Sequence, residues 1–286
     1  MRIEVRNLTH IFNMGTVMET CAVRDVSFTL EDGCFAAIIG HTGSGKSTLI
    51  QHLNGLEKPT SGTVLCNGED IFAPGYDLRR LRGKVGLIFQ NPENQLFEET
   101  VIKDVMYGPG NLGYSEEECR RKAETALHTV GLEETFWERS PFELSGGEKR
   151  KAAVAGILAM EPEVLILDEP AAGLDPKGRR EMLEQLKLMH EERGLTVLMV
   201  SHSMDDVAEY AERLLVMEQG RLIFDDTPKV VFTHIEELEA AGLSVPEMTY
   251  LARDLRAAGF DIPIDVSTID EAEKAILAHF SGSAGD

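Results

Sequence analysis

The sequence is sparing with cysteine: 286 residues carry four, Cys21, Cys34, Cys66 and Cys119. No two form a Cys-x-x-Cys pair and none has a nearby His, so a disulfide frame and a zinc site are both excluded. They read as reduced thiols in a cytoplasmic chain. Long hydrophobic runs are missing too. No stretch approaches the ~20 apolar residues of a membrane span, and Met1-Arg2-Ile3-Glu4 leads straight into strand-like alternation, so no signal peptide is expected. Positive charge is short, 28 Lys and Arg against 49 Asp and Glu, giving a net charge of −21. That sign opposes nucleic acid, whose binders need a basic face, and opposes unaided binding to anionic lipid. If the chain works at a membrane, another protein must hold it there. Internal repeats and low-complexity tracts are absent. What is present, 43% hydrophobic and 27% charged residues, is ordinary for a globular protein with a real core.

One segment carries chemistry outright. Gly40-His41-Thr42-Gly43-Ser44-Gly45-Lys46-Ser47 is a phosphate-binding loop pattern, two glycines followed by Lys-Ser. Glycines let main-chain N–H groups curl around phosphate oxygens, and the helix that follows offers its positive N-terminal end. Lys46 adds a point charge for the outer phosphates, and the Ser47 hydroxyl can ligate Mg²⁺. The apolar run Phe35–Ile39 enters as a buried strand, and Thr48 to Leu53 leaves as a helix. Residues Gly40 to Thr48 are therefore expected to bind a nucleotide.

Around this loop the pattern reads as α/β. Val26 to Leu30 alternates with period two and ends at Glu31-Asp32-Gly33, a hairpin-type turn; Gly62 to Cys66 followed by Asn67-Gly68 is a second hairpin signal. Val85 to Phe89 reads as a buried strand. From Asn91 to about Ala159 the spacing turns helical: Ser115 and Glu118 form a capping box, apolar positions recur to Val130, and Gly131 ends the helix. Strand 164–167, helix 178–193 and strand 196–200 then give a parallel sheet covered on both faces. Past Pro228, three short amphipathic helices form an acidic tail, read either as a solvated appendage or as a packing and dimerising element.

Val164 to Leu167 runs into Asp168 and Glu169. On a phosphate-binding sheet the first acid can hold Mg²⁺ directly or through water, and the second is placed to orient and deprotonate an attacking water. Leu144-Ser145-Gly146-Gly147-Glu148 opens another helix and supplies a second anion site.

These motifs, in this order, resemble the ATP-binding-cassette (ABC) ATPases over residues 1 to about 228. The resemblance implies a P-loop fold: a RecA-like parallel sheet core, an antiparallel β subdomain, a helical subdomain near 91–159, and here a small C-terminal helical extension over 229–286. It implies that Phe12 stacks on adenine, that Gln90 senses Mg²⁺ and the attacking water, and that His202 touches the γ-phosphate. Gly173-Leu174-Asp175 matches the loop that crosses to the partner subunit. Ser145 to Glu148 then faces the phosphate loop of a second subunit, so hydrolysis of Mg²⁺-ATP needs a dimer. The chain departs from the common pattern at Phe12, where Tyr is usual, at Glu148, where Gln is usual, and at Ala171, where Thr is frequent.

Asn91 to Thr100 after Gln90 further resembles the short extra helix of energy-coupling-factor importer ATPases, most like the second of two paralogous subunits. That resemblance implies a homologous ATPase partner, a transmembrane coupling protein docking near Asn91–Thr100, and a separate membrane subunit that binds a vitamin or a transition-metal ion. The location implied is the cytoplasmic face of the membrane, peripherally. Leu96 and Phe97 are read either as an exposed contact pair or as core. Two other readings stand beside this one: an ordinary ABC transporter ATPase acting as a homodimer, and a soluble ABC protein outside transport.

Overall fold

Alternating apolar residues, interrupted by register shifts after Val5 and Leu8, make the first strands, and wholly apolar runs make the central ones. The computed structural model describes residues 1–282; residues 283–286, the end of the C-terminal extension, lie outside the described residues. The chain begins with β1 (Ile3–Phe12), β2 (Thr20–Leu30) and β3 (Phe35–Ile39), then α1 (Lys46–Leu53), β4 (Ser61–Cys66), β5 (Glu69–Asp70), α2 (Leu78–Lys84) and β6 (Val85–Ile88). A short 3-10 turn at Pro92–Gln95 leads into three helices, α3 (Val101–Leu112), α4 (Glu116–Thr129) and α5 (Gly146–Leu158). There follow β7 (Val164–Asp168), α6 (Pro176–Arg193), β8 (Thr196–Val200), α7 (Met204–Tyr210), β9 (Arg213–Glu218) and β10 (Arg221–Asp226). The chain closes with α8 (Pro228–Val231), α9 (Ile235–Ala240), α10 (Glu247–Ala257) and α11 (Ile269–Gly282).

Two sheets result. One is antiparallel, in the order β2-β1-β4-β5; the other runs β10-β9-β3-β8-β7-β6 and is parallel except for its β10 edge. Every residue of β3, β7 and β8 is buried, as a sheet covered on both faces requires. This corrects one expectation. Glu31-Asp32-Gly33 does not close a hairpin, because β2 pairs with β1 while β3 crosses into the other sheet between β8 and β9. A strand as apolar as Phe-Ala-Ala-Ile-Ile stabilises the fold most where both faces lose water, which the edge of a two-sided ribbon cannot offer.

The Asn67-Gly68 turn does join β4 to β5, antiparallel. The Ser115–Glu118 capping box is present, with the Ser115 hydroxyl accepting from the Glu118 N–H and the Glu118 carboxylate accepting from the Ser115 N–H. Three hydrophobic clusters sit around the parallel sheet: one with the helices α3 to α6, one between the two sheets with α1, and one on β3 and β9. The last draws in Val231, Phe232, Leu238, Leu243 and Val245, so the chain just past β10 packs onto the central sheet. A smaller cluster around Ala252, Ile262, Val266 and Ala272 holds α10 and α11.

Candidate functional site

The phosphate-loop residues connect β3 to α1, where a chain leaving a buried strand must turn sharply. Gly45 takes φ +98°, and a Cβ there would meet the Ala22 carbonyl oxygen at 2.2 Å, so only glycine fits. Gly40 is as restricted: an added Cβ would come within 2.5 Å of the Ser44 Oγ. Lys46 opens α1 with its side chain buried beneath the loop, donating to the carbonyls of Gly40 (2.6 Å) and His41 (3.0 Å). Burial holds its ammonium below the usual lysine range, opposed by the negative charges of Glu169 and Asp168. His41, Thr42 and Gly43 stay exposed at the loop's tip and Thr48 is half-buried on α1.

Asp168 ends β7 and is buried. Burial pushes its carboxyl up, and a hydrogen bond from Ser47 pulls it back down. The next residue, Glu169, sits at φ +51°, a left-handed conformation that costs a residue with a Cβ about 1 to 3 kcal/mol and tends to be kept where it aims a functional group. Its N–H donates to the Val200 carbonyl at 3.1 Å, fixing it to the end of β8. Its carboxylate is held on both sides: Gln90 Nε2 donates to Oε2 at 2.7 Å, and His202 Nε2 lies 2.7 Å from Oε1. Glu169, His202, Arg179 and Ser203 line a common cavity of about 240 Å³. Glu169 and Gln90, expected at the attacking water, and His202, expected at the γ-phosphate, are thus joined through the Glu169 carboxylate.

Phe12 terminates β1, 36% exposed, with its ring set edge-on to His10 at 4.4 Å. Its free face suits stacking. Ser145 caps α5 in a second capping box: the Glu148 carboxylate accepts from the Ser145 N–H (2.8 Å) and hydroxyl (2.7 Å). The Ser145 hydrogen bond draws that carboxyl below its ordinary value. Here the Ser-x-x-Glu spacing was itself the signal for what Glu148 does, the same pattern that marks Ser115 and Glu118. Asp175 caps α6, accepting from the Gly178 N–H at 2.7 Å. Gly147, Gly173 and Asp175 line a separate cavity of about 380 Å³ between α5 and α6.

Sequence reasoning gave no structural role to Arg150. Its buried guanidinium donates to the carbonyls of Ala172 (2.6 Å), Gln90 (3.0 Å) and Glu169 (3.4 Å). The 91–100 segment also resolves into two kinds of residue. Leu96 is buried in the helical cluster, so it offers no contact surface, whereas Phe97 is 56% exposed and packs edge-on against the exposed Tyr107.

A glycine-built phosphate loop, an acid at the end of β7 two places along the same parallel sheet, and a Ser-Gly-Gly helix start on a separate helical layer together define an ABC-type ATPase. A family model described as ABC transporter matches residues 23–172. The chain is 52% identical over 278 residues to the energy-coupling factor transporter ATP-binding protein EcfA2 of Clostridium perfringens, covering 97% of this chain and 98% of that one. It is 53% identical over 285 residues to the protein of the same name from Symbiobacterium thermophilum, covering 100% and 99%. Among solved structures it resembles cbiO1 of Clostridium perfringens, described as part of the ABC transporter complex cbiONQ (TM-score 0.72, 38% identity, 83% of this chain and 93% of that one). It also resembles the ATP-binding cassette MJ0796, solved as a dimer bound to ADP and Pi (TM-score 0.72, 30% identity, 79% and 98%). The chain belongs to the ABC transporter family and, within it, to the ATP-hydrolysing proteins of energy-coupling-factor transporters.

Proposed function

We propose that this chain is one of two homologous ATPases that together drive a transmembrane coupling protein, importing a vitamin or transition-metal ion chosen by a separate membrane subunit. The observation that carries the reading is the Glu169 carboxylate held between Gln90 and His202. It links the water-activating group to the segment that faces a membrane partner. Glu169 is the general base, taking a proton from the water that attacks the γ-phosphate. His202 and Gln90 orient it, Lys46 and the loop N–H groups from Gly40 to Thr48 carry the phosphates, and Phe12 stacks on the adenine.

The residues present fit Mg²⁺. Ser47 bonds to the buried Asp168, and the Gln90 amide oxygen is left over once its nitrogen serves Glu169. This is a small all-oxygen donor set. Among the described residues no group of three or more His, Cys, Asp or Glu forms a cage, in keeping with an ion that takes its remaining ligands from water and phosphate. When bound, Mg²⁺ neutralises charge on the phosphate oxygens.

Ser145, Gly146, Gly147 and Glu148, with Asp175, serve the nucleotide bound to the other subunit. The dimeric ATP-binding cassette at 30% identity supports such an arrangement. Among the described residues no helix is long and apolar enough to cross a membrane, and the net charge of −21 disfavours both lipid and nucleic acid. Attachment at the cytoplasmic face therefore runs through the coupling protein, by way of Asn91 to Thr100. The acidic C-terminal extension over 229–286 serves packing in the ATPase pair.

The test is reconstitution. The purified chain is mixed with its homologous ATPase, and hydrolysis is measured against the mixing ratio. A maximum at one to one supports the pair; full activity from this chain alone, unchanged by the other, assigns a homodimer instead.

A further inference from the structure

Arg150 stands on the second turn of α5, five residues after Ser145, and points out of the helical layer into the seam with the parallel sheet. Its side chain is buried, 7% exposed. It spends its donors on three backbone carbonyls, those of Ala172, Gln90 and Glu169. Those carbonyls belong to the three segments that carry the site: the strand end that presents Gln90, the residue that presents the carboxylate, and the approach to Gly173-Leu174-Asp175. A planar guanidinium with five donors in a rigid fork can tie three such oxygens at once; a lysine ammonium offers a more compact reach and no fixed plane.

Two atoms at the same seam are left unmatched. Arg150 Nε is buried without a partner, and so is Oε2 of Glu93 in the turn that follows Gln90. That turn packs directly against α5. Burial lowers the guanidinium's proton affinity and the Glu93 charge acts against that effect, so the two groups feel one another. A buried donor and a buried acceptor of opposite charge, both unpaired where the turn meets α5, call for an explanation. A displacement of the 92–95 turn relative to α5 that paired them would satisfy both atoms.

We propose that Arg150 is a positioning residue for hydrolysis, which locks the backbone of Gln90 and Glu169 to the helix that begins at Ser145 and is itself set by the position of Glu93. Whatever docks on Asn91 to Thr100 shifts Glu93, Glu93 shifts the guanidinium, and the guanidinium sets the backbone from which the Gln90 and Glu169 side chains meet. The link is electrostatic from Glu93 to the guanidinium and hydrogen-bonded from the guanidinium to the Gln90 and Glu169 carbonyls. It rests on the assignment of Glu169 as the general base, so that assignment is measured alongside it.

The experiment uses the full-length chain in its membrane complex and reads ATP affinity, KM and kcat for Arg150→Gln and Arg150→Lys, each in the native and in the Glu169→Gln background. Arg150→Gln should lower kcat by about 10- to 100-fold, the scale of an ångström-sized misplacement of a reacting group, while ATP affinity and KM stay within about threefold. Arg150→Lys should recover part of the loss. In the Glu169→Gln background Arg150→Gln should cost nothing more, because residues acting as one unit are not additive. Glu93→Gln combined with Arg150→Gln should likewise fall short of the product of the single effects. A native kcat in Arg150→Gln, or a loss of the same size in both backgrounds, or a loss confined to KM, overturns the inference. Undiminished turnover in Glu169→Gln alone overturns the base assignment instead, and the two failures are read from different variants.

Discussion

His202 Nε2 lies 2.7 Å from Oε1 of Glu169, two side chains that leave the ends of adjacent parallel strands, β8 and β7, and meet over the sheet's edge. With Gln90 on the other oxygen, the carboxylate has little rotational freedom left. A base held this way loses little entropy on reaching the geometry for proton transfer. Replacing Glu169 by Gln keeps the shape and both neighbours but removes the basic oxygen. Turnover should fall by ~10²-fold or more while ATP still binds, and the ATPase pair should accumulate in its closed, nucleotide-bound form. Steady-state hydrolysis and size-exclusion chromatography in ATP check this; near-native turnover removes Glu169 from the role.

Lys46 should behave differently if, as proposed, its charge meets the phosphates before and during reaction alike. Lys46→Ala should weaken ATP binding by ~10- to 100-fold, the worth of a charge-assisted hydrogen bond. A fluorescent nucleotide titration reads this directly. Unchanged affinity with reduced turnover would assign Lys46 to the transition state only.

The surface after Gln90 can be reversed in charge without emptying the core. Glu99 is exposed and its carboxylate accepts from Lys103 at 2.8 Å, while the N–H groups of Phe97 and Glu98 both donate to Asp104, which fixes the turn independently of the two glutamates. Replacing Glu98 and Glu99 together with Lys should leave ATP binding and folding intact and abolish assembly with the membrane partner, since charge complementarity sets docking orientation. Co-purification and solute uptake decide it. Normal assembly would show that docking lies elsewhere; loss of folding would make the two glutamates structural.

A buried histidine pair gives the chain a pH signature. His52 donates from Nδ1 to the Thr48 carbonyl at 2.7 Å, its Nε2 lies 3.1 Å from His10 Nδ1, and burial pushes its pKa down to about 4 from 6.5. The unfolded chain therefore binds a proton first on acidification. The contribution of His52 is fully present above pH 6.5 and is lost as pH falls through 6.5 toward 4, about 3 kcal/mol by linkage. Urea unfolding of native and His52→Gln chains between those limits should show the difference in stability shrinking with acid. A pH-independent difference would mean that His52 has the same pKa in the folded and unfolded chains.

Much of this molecule was legible in one dimension because its signals are local. Two glycines and Lys46-Ser47 demand a particular turn between a strand and a helix, and period-two or continuous apolar spacing distinguishes a half-buried strand from a fully buried one. Ser145 and Glu148 carry the same spacing as Ser115 and Glu118, though the sequence there is read only for an anion site. Their pairing follows from three-residue spacing alone.

What only the tertiary structure decided are relations between residues far apart in sequence. Gln90 and Glu169 are 79 positions apart and touch because β6 and β7 are neighbours in the sheet. Arg150 reaches three carbonyls because α5 packs across the ends of those same strands, and backbone acceptors have no residue type by which a sequence could announce them. Leu96 and Phe97 are chemically alike and adjacent, yet one is buried and the other exposed. The chain's direction between Gln95 and Val101 decides that, and Asp104 fixes it by accepting two N–H bonds from the turn. Glu31-Asp32-Gly33 has the composition of a hairpin turn, and its strands part because the burial available to β3 lies in the other sheet. Local chemistry is written in neighbouring residues; which distant groups share a low-dielectric seam depends on how the layers pack.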